Sequence, residues 1–369
     1  MYRRLSILSG ISIIAVILNH AGGWGLVALI WWAHRYRSVE SPNYDRIGSL
    51  SYYISDVIHL LTVFAVPAFL FISGFFIAYA SRAGKTGLGW KSIRTRITAL
   101  LIPYLVWSAY QISQDMILGE TISAGQIFLR VVLTGANGGF FFIPVLITFY
   151  LLSPWLVKLA KQNWKALLLG AALIQLIPII FRYLRLLLGP TPLLSTLIQW
   201  TPDQIFIRWA VYFPLGIVGG LYMDTFKTWL LNHRILLAVV LVGSYLAMFF
   251  ETELIFFLTP DHWRPGPSSI FYVLYGLSFI LTYLAFENWN IPFSRAFTQI
   301  GAKSYGLYLT HFLVMTIAAK LVYHFLPWLL SQQFLFQLLM MVLGLFVPLL
   351  FMVIIARSPL KRIYPYIFG

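Results

Sequence analysis

Apolar runs of roughly 17–25 residues recur from one end of this chain to the other, each long enough to cross the hydrocarbon core of a bilayer as a helix. Inside lipid, backbone N–H and C=O groups must find partners within their own segment, so runs of this length fold as helices packed on one another. Composition supports this: 60% of the 369 residues are hydrophobic and 10% charged, whereas soluble domains are about 25% charged. The chain reads as an all-α polytopic integral membrane protein with about ten transmembrane helices. They fall at roughly 5–32, 55–80, 97–117, 139–157, 166–188, 205–222, 235–250, 268–286, 303–325 and 334–356. No polar stretch between them is long enough for a separate soluble domain, so residues 1–369 read as a single transmembrane domain.

The net charge of +15 is explained by topology, because the basic residues punctuate the apolar runs and form no nucleic-acid-binding patch. With the N-terminus in the cytoplasm, most of them fall on inside loops: Arg3 and Arg4, the stretch from Arg82 to Arg96, Lys158, Lys161 and Lys165, Lys227 and Arg234, Arg295 and Lys303, and Arg357 to Arg362. The positive-inside rule then puts both termini in the cytoplasm of a multi-pass protein of the cell (inner or plasma) membrane. The first run is too long for the core of a secretory signal, so it is expected to remain in the mature protein. There is no cysteine, which removes disulfides, thiolate metal sites and a cysteine nucleophile. Outside the membrane, the segment from His34 to Asp56 carries tyrosines and arginines fit for a lid over an extracytoplasmic substrate. The spacing of His34, His59 and the loop acids does not ask for a metal, and none is expected.

His20 lies within the first run, and an ionisable group at membrane depth is read first as functional, although it can also serve as a hydrogen bond to a neighbouring helix. At about 100° per residue, Ser9 falls nearly beneath His20 and Ser6 within about 40° of it, with Asn19 alongside the histidine. That polar stripe fits a helix lining a cavity, or small polar residues joining two helices. A neutral imidazole with donors nearby for a developing oxyanion is the minimum equipment for moving an acyl group from a thioester to an alcohol. His311 in the ninth run shares a face with Tyr308 at a three-residue spacing, Tyr305 lying three residues before that. This histidine suits either an interhelical contact or the acceptor side of a site.

Five strings in order resemble the acyltransferase 3 family, integral membrane enzymes that O-acylate cell-surface carbohydrates and related acceptors. Leu8-Ser9-Gly10 through Leu18-Asn19-His20 resembles the first helix, ending in the essential histidine. Val66-Pro67 through Ser73-Gly74-Phe75-Phe76 is similar to the second, and Arg94-Thr95-Arg96 through Pro103-Tyr104 to the basic loop entering the third. Gly139-Phe140 through Tyr150 to Ser153-Pro154 resembles the fourth, with phenylalanine where the family usually has tryptophan. Ile300-Gly301 through Ser304-Tyr305 to His311 looks like the recurring Ser-Tyr-to-His segment.

The resemblance implies His20 as the base, Arg94 and Arg96 as ligands of the acyl-CoA phosphates, for which arginine forks are suited, and Asn19, Tyr305 and His311 on the acceptor. No permanently bound cofactor is implied; acyl-CoA enters as co-substrate. Two departures stand out. Ser9 occupies the donor-side position where the family carries an arginine eleven residues before the histidine, and Ala99 stands where the second of two paired arginines belongs. Arg3 and Arg4 point away from the His20 face, so either another helix supplies the charge, with Arg94, Arg96 and Arg208 as candidates, or catalysis is impaired or altered. The chain therefore reads as an O-acyltransferase taking an acyl group, acetyl as the first candidate, from cytoplasmic acyl-CoA to a glycan or lipid-linked sugar outside. The alternative is a non-enzymatic transporter or scaffold of a surface polysaccharide pathway.

Overall fold

A computed structural model describes residues 1–32, 47–83, 89–117, 119–134, 139–202, 204–259 and 266–369. Most of the lid segment (33–46), and with it His34, lies outside the described residues, as do Lys85, Asp203 and Asp261. The described residues are overwhelmingly helical and contain no strand, so the protein is an all-α polytopic membrane protein. In chain order the helices are α1 (Tyr2–Val27), α2 (Leu50–Leu61), α3 (Ala65–Ala83), α4 (Trp90–Ile117), α5 (Ala124–Leu129), α6 (Phe142–Leu188), α7 (Pro192–Gln199), α8 (Tyr212–Leu221), α9 (Met223–Asn232), α10 (Arg234–Leu258), α11 (Ile270–Ala285), α12 (Ser294–Ala302), α13 (Ser304–Phe325), α14 (Gln333–Arg357) and α15 (Tyr364–Phe368).

Each apolar run expected from the sequence falls on helix, but the divisions differ. Among the described residues, six stretches are long and apolar enough to span: Tyr2–Trp32, Leu50–Arg82, Phe142–Leu188, Arg234–Leu258, Ser304–Phe325 and Gln333–Arg357. The run expected at 55–80 is two helices, α2 and α3, interrupted at residues 62–64. The runs at 139–157 and 166–188 are continuous in α6 apart from a kink at Asn163, which is non-helical at φ −155°, ψ 88°. The Asn163 side chain accepts the N–H of Ala166 at 3.0 Å, as an N-cap does for the helix that follows.

The chain divides into two compact units. The first holds Met1–Leu5 and Val66–Ile291. Its centre is a crossing of α3 and α8 that only glycine permits. A Cβ on Gly74 would collide with the carbonyl oxygen of Phe213, and one on Gly216 with that of Phe71. Such small-residue contacts replace the missing hydrophobic drive between helices in lipid, because they let backbones approach and gain dispersion energy. Aromatic rings fill the flanks, among them Phe149 stacked on Phe213 at 5.0 Å and 12°. At one edge of this unit the Arg4 guanidinium lies 5.0 Å from the Tyr283 ring centroid and donates to the Phe286 carbonyl, while the Tyr283 hydroxyl donates to the Arg4 carbonyl at 3.0 Å.

The second unit holds Ser6–Ala65 and Pro292–Gly369. Here α1 crosses α12 backbone to backbone: Gly10 faces the Phe297 carbonyl, and a Cβ on Gly301 would come 2.6 Å from the Ser6 carbonyl oxygen. Farther along, Gly344 of α14 accommodates Met315 of α13 and Ile17 of α1. The Gln337 amide of α14 donates to the Ser55 hydroxyl of α2 at 2.7 Å.

Candidate functional site

Within the second unit, α1 and α13 bring two histidines together. The rings of His20 and His311 lie 5.2 Å apart between centroids, inclined at 40°. Phe312 meets His20 in an edge-to-face contact at 5.3 Å, and His59 of α2 is close enough to interact electrostatically with His20. His20 is half-buried, whereas His311 is only 1% exposed. Of the two imidazoles, that of His20 is therefore the more accessible.

Asn19 faces the break between α2 and α3. Ending α2 at Leu61 frees backbone groups at membrane depth, where no water replaces the lost hydrogen bonds. The Asn19 amide donates to the His59 carbonyl at 3.2 Å and to the Thr62 hydroxyl oxygen at 2.9 Å, and the Thr62 hydroxyl itself donates to the His59 carbonyl at 2.6 Å. The residue beside the histidine therefore holds the α2 end that carries His59. Asn19→Leu keeps the bulk and removes both donors. It is expected to cost about 1–2 kcal/mol, read as a lower thermal midpoint in detergent; an unchanged midpoint would show that the break needs no partner from α1.

Ser9 lies in the α1–α12 crossing. Its hydroxyl is 3.5 Å from the Gly301 carbonyl oxygen and 3.4 Å from the Ser304 hydroxyl, and its Cβ would stand 3.3 Å from a Cβ at Gly301. Of the two arrangements open for the serine stripe, the structure shows small polar residues joining helices at this position. A longer side chain at this position starts in close contact with α12. Ser9→Arg is thus expected to lower stability by about 1–3 kcal/mol through overpacking, a loss measurable by thermal scanning of the purified protein. A variant that kept the native midpoint would mean that α12 yields to the longer side chain.

Arg94, Arg96 and Arg208 have surroundings of their own within the first unit. Arg208 is 1% exposed and its guanidinium bonds to the carbonyls of Thr201 and Pro202 and to the Ser268 hydroxyl. Arg94 and Arg96 belong to the first unit. Arg94 is exposed, while Arg96 is half-buried and interacts with the hydroxyl of Tyr150, which also bonds to Ser73. Two residues apart on α4, the arginines project about 200° apart and form no joint fork. Tyr305 is half-buried at the start of α13, two turns before His311.

Sequence reasoning missed Asp56. Its position in the chain suggests the last residue of an outer loop, yet it is fully buried on α2, one turn from His59. A carboxylate just inside the apolar run beginning at residue 55 was the available signal.

An all-helical, polytopic membrane protein carrying an intramembrane histidine pair is the class that this fold and site define. The chain belongs to the acyltransferase 3 family: the family model described as an acyltransferase domain matches residues 3–357. A Staphylococcus aureus (strain MRSA252) protein named "Probable poly-beta-1,6-N-acetyl-D-glucosamine export protein" is 23% identical over 272 residues, covering 72% of each chain. No solved structure matches the chain.

Proposed function

We propose that this protein is a membrane O-acyltransferase that moves an acyl group, acetyl first among candidates, from cytoplasmic acyl-CoA to a hydroxyl of an extracytoplasmic glycan or lipid-linked sugar. Both termini are cytoplasmic in this reading, and the protein resides in the cell membrane. The observation that carries it is the half-buried His20 backed by His311 within a chain of this family. His20 takes the proton of the acceptor hydroxyl as that oxygen attacks the thioester carbonyl. The C–S bond breaks, its electron pair leaves on sulfur, and the proton held on His20 passes to the thiolate to release coenzyme A. Arg96, steadied by Tyr150, meets the donor phosphates, and Arg94, exposed on another face of α4, adds to the positive potential that draws them. Tyr305 serves the acceptor side.

A second reading, export or scaffolding without catalysis, is favoured by the name of the staphylococcal relative and by the serine at position 9. The two separate in membranes incubated with radiolabelled acetyl-CoA. Label reaching envelope glycan only when the chain is present supports acyl transfer. Equal background label with and without the chain, together with glycan export that fails on its deletion, supports the carrier. Coenzyme A that raises the thermal midpoint of the purified protein points the same way as label, because a donor site stabilises the native state by mass action.

A further inference from the structure

His311 is buried, yet a hydrogen bond accounts for only one of its two ring nitrogens. Nδ1 lies 2.9 Å from the carbonyl oxygen of Leu307, one turn earlier on α13. A carbonyl can only accept, so Nδ1 carries the proton and Nε2 presents a lone pair. That Nε2 atom has no hydrogen-bond partner among the described residues. A buried acceptor left open calls for an explanation, and the ring that carries it lies 5.2 Å from the ring of His20 between centroids. At such a separation, imidazole nitrogens turned toward each other come within hydrogen-bonding reach, and catalytic contacts that are loose in an unliganded site tighten when substrate arrives.

We infer that His311 is the positioning residue of the His20 base. Its Nε2 accepts the N–H of one His20 nitrogen, which fixes the tautomer of His20 and leaves the other nitrogen bare toward the acceptor hydroxyl. The chain of contacts runs from the Leu307 carbonyl through His311 and His20 to the substrate, a base held by a third group. When the hydroxyl proton moves to His20 and the new C–O bond forms, the positive charge on His20 is shared with the His311 acceptor. It is discharged when that proton goes to the departing thiolate. This role rests on the acyltransferase reading and deepens it.

Two substitutions at one position separate positioning from packing. In His311→Asn the amide can still donate to the Leu307 carbonyl, but nothing reaches the place of Nε2. In His311→Gln the longer side chain carries an acceptor oxygen to that place. With radiolabelled acetyl-CoA and endogenous envelope glycan, His311→Asn is expected to lower the maximal rate per molecule by about a hundredfold or more while KM for acetyl-CoA stays within about twofold. His311→Gln is expected to recover at least about tenfold of that loss. A native rate in His311→Asn, or equal losses in both variants, overturns the inference. Label no greater with the native chain than without it overturns the acyltransferase reading instead, and label that persists in His20→Ala removes His20 from the chemistry. A readout independent of activity and of the variants' folding is histidine nitrogen NMR of the native protein: a proton on Nδ1 of His311 supports the assignment, and one on Nε2 overturns it.

Discussion

Membranes carrying His20→Ala are expected to transfer about 10²–10⁴-fold less acyl group to the acceptor than native membranes, the range typical for removing a general base. The expectation follows from where His20 stands. It is the half-buried member of the pair, with the rings of His311 and Phe312 against it and His59 nearby. The other histidine of α13, His324, lies roughly three and a half turns beyond His311 and is too far along the helix to take over the proton. Truncation to alanine leaves α1 its backbone hydrogen bonds and its glycine contact with α12, so the protein should remain folded in the membrane. Coenzyme A is expected to protect the native and the His20→Ala proteins alike, because Arg94 and Arg96, which we propose as the donor's ligands, are unchanged in the variant. Acylation at the native rate in this variant would remove His20 from the chemistry.

Placing alanine at Gly74 or Gly216 is expected to reduce the fraction of monodisperse protein and to lower stability by about 1–3 kcal/mol or more. At both positions the added methyl would run into a carbonyl oxygen of the facing helix. Backbone cannot rotate away as a side-chain tip can, so α3 and α8 must separate, and the dispersion contacts along the crossing weaken with them. Since each glycine faces the other's helix across the same contact, the double variant should cost less than the two single losses added together. Gly170 of α6 supplies the control, because a methyl there meets nothing within 4 Å and alanine is the better helix former. Thermal midpoints in one detergent would check all four variants. A Gly74→Ala midpoint equal to that of Gly170→Ala would show that the crossing is looser than the glycines imply.

Much of the architecture could be read before any coordinates. Apolar length specified helix after helix because lipid offers the backbone no other partner, and each run from 5–32 to 334–356 does fall on helix. The interruptions were harder to see. Thr62-Val63-Phe64 is as apolar as its surroundings, so hydropathy passes over the break between α2 and α3. The break is stabilised by Asn19, which is distant in sequence. In the opposite direction, the lysines around Asn163 suggest a full loop, where one capped kink is enough to redirect α6.

The site divides the same way. Residue type and membrane depth were enough to single out His20, and the three-residue spacing put His311 and Tyr308 on one face. Periodicity describes one helix at a time, however, and cannot say which faces meet. Packing of α1 against α13 made two separate histidines a pair, packing of α12 against α1 made Ser9 a helix contact, and the fold of α2 put Asp56 inside. Membrane class and helical content are thus consequences of local chemistry, since burial in lipid acts on each segment separately. Partnership between residues hundreds of positions apart depends on which backbones can approach closely. That was settled at the glycine crossings, where the absence of a Cβ chooses the neighbour.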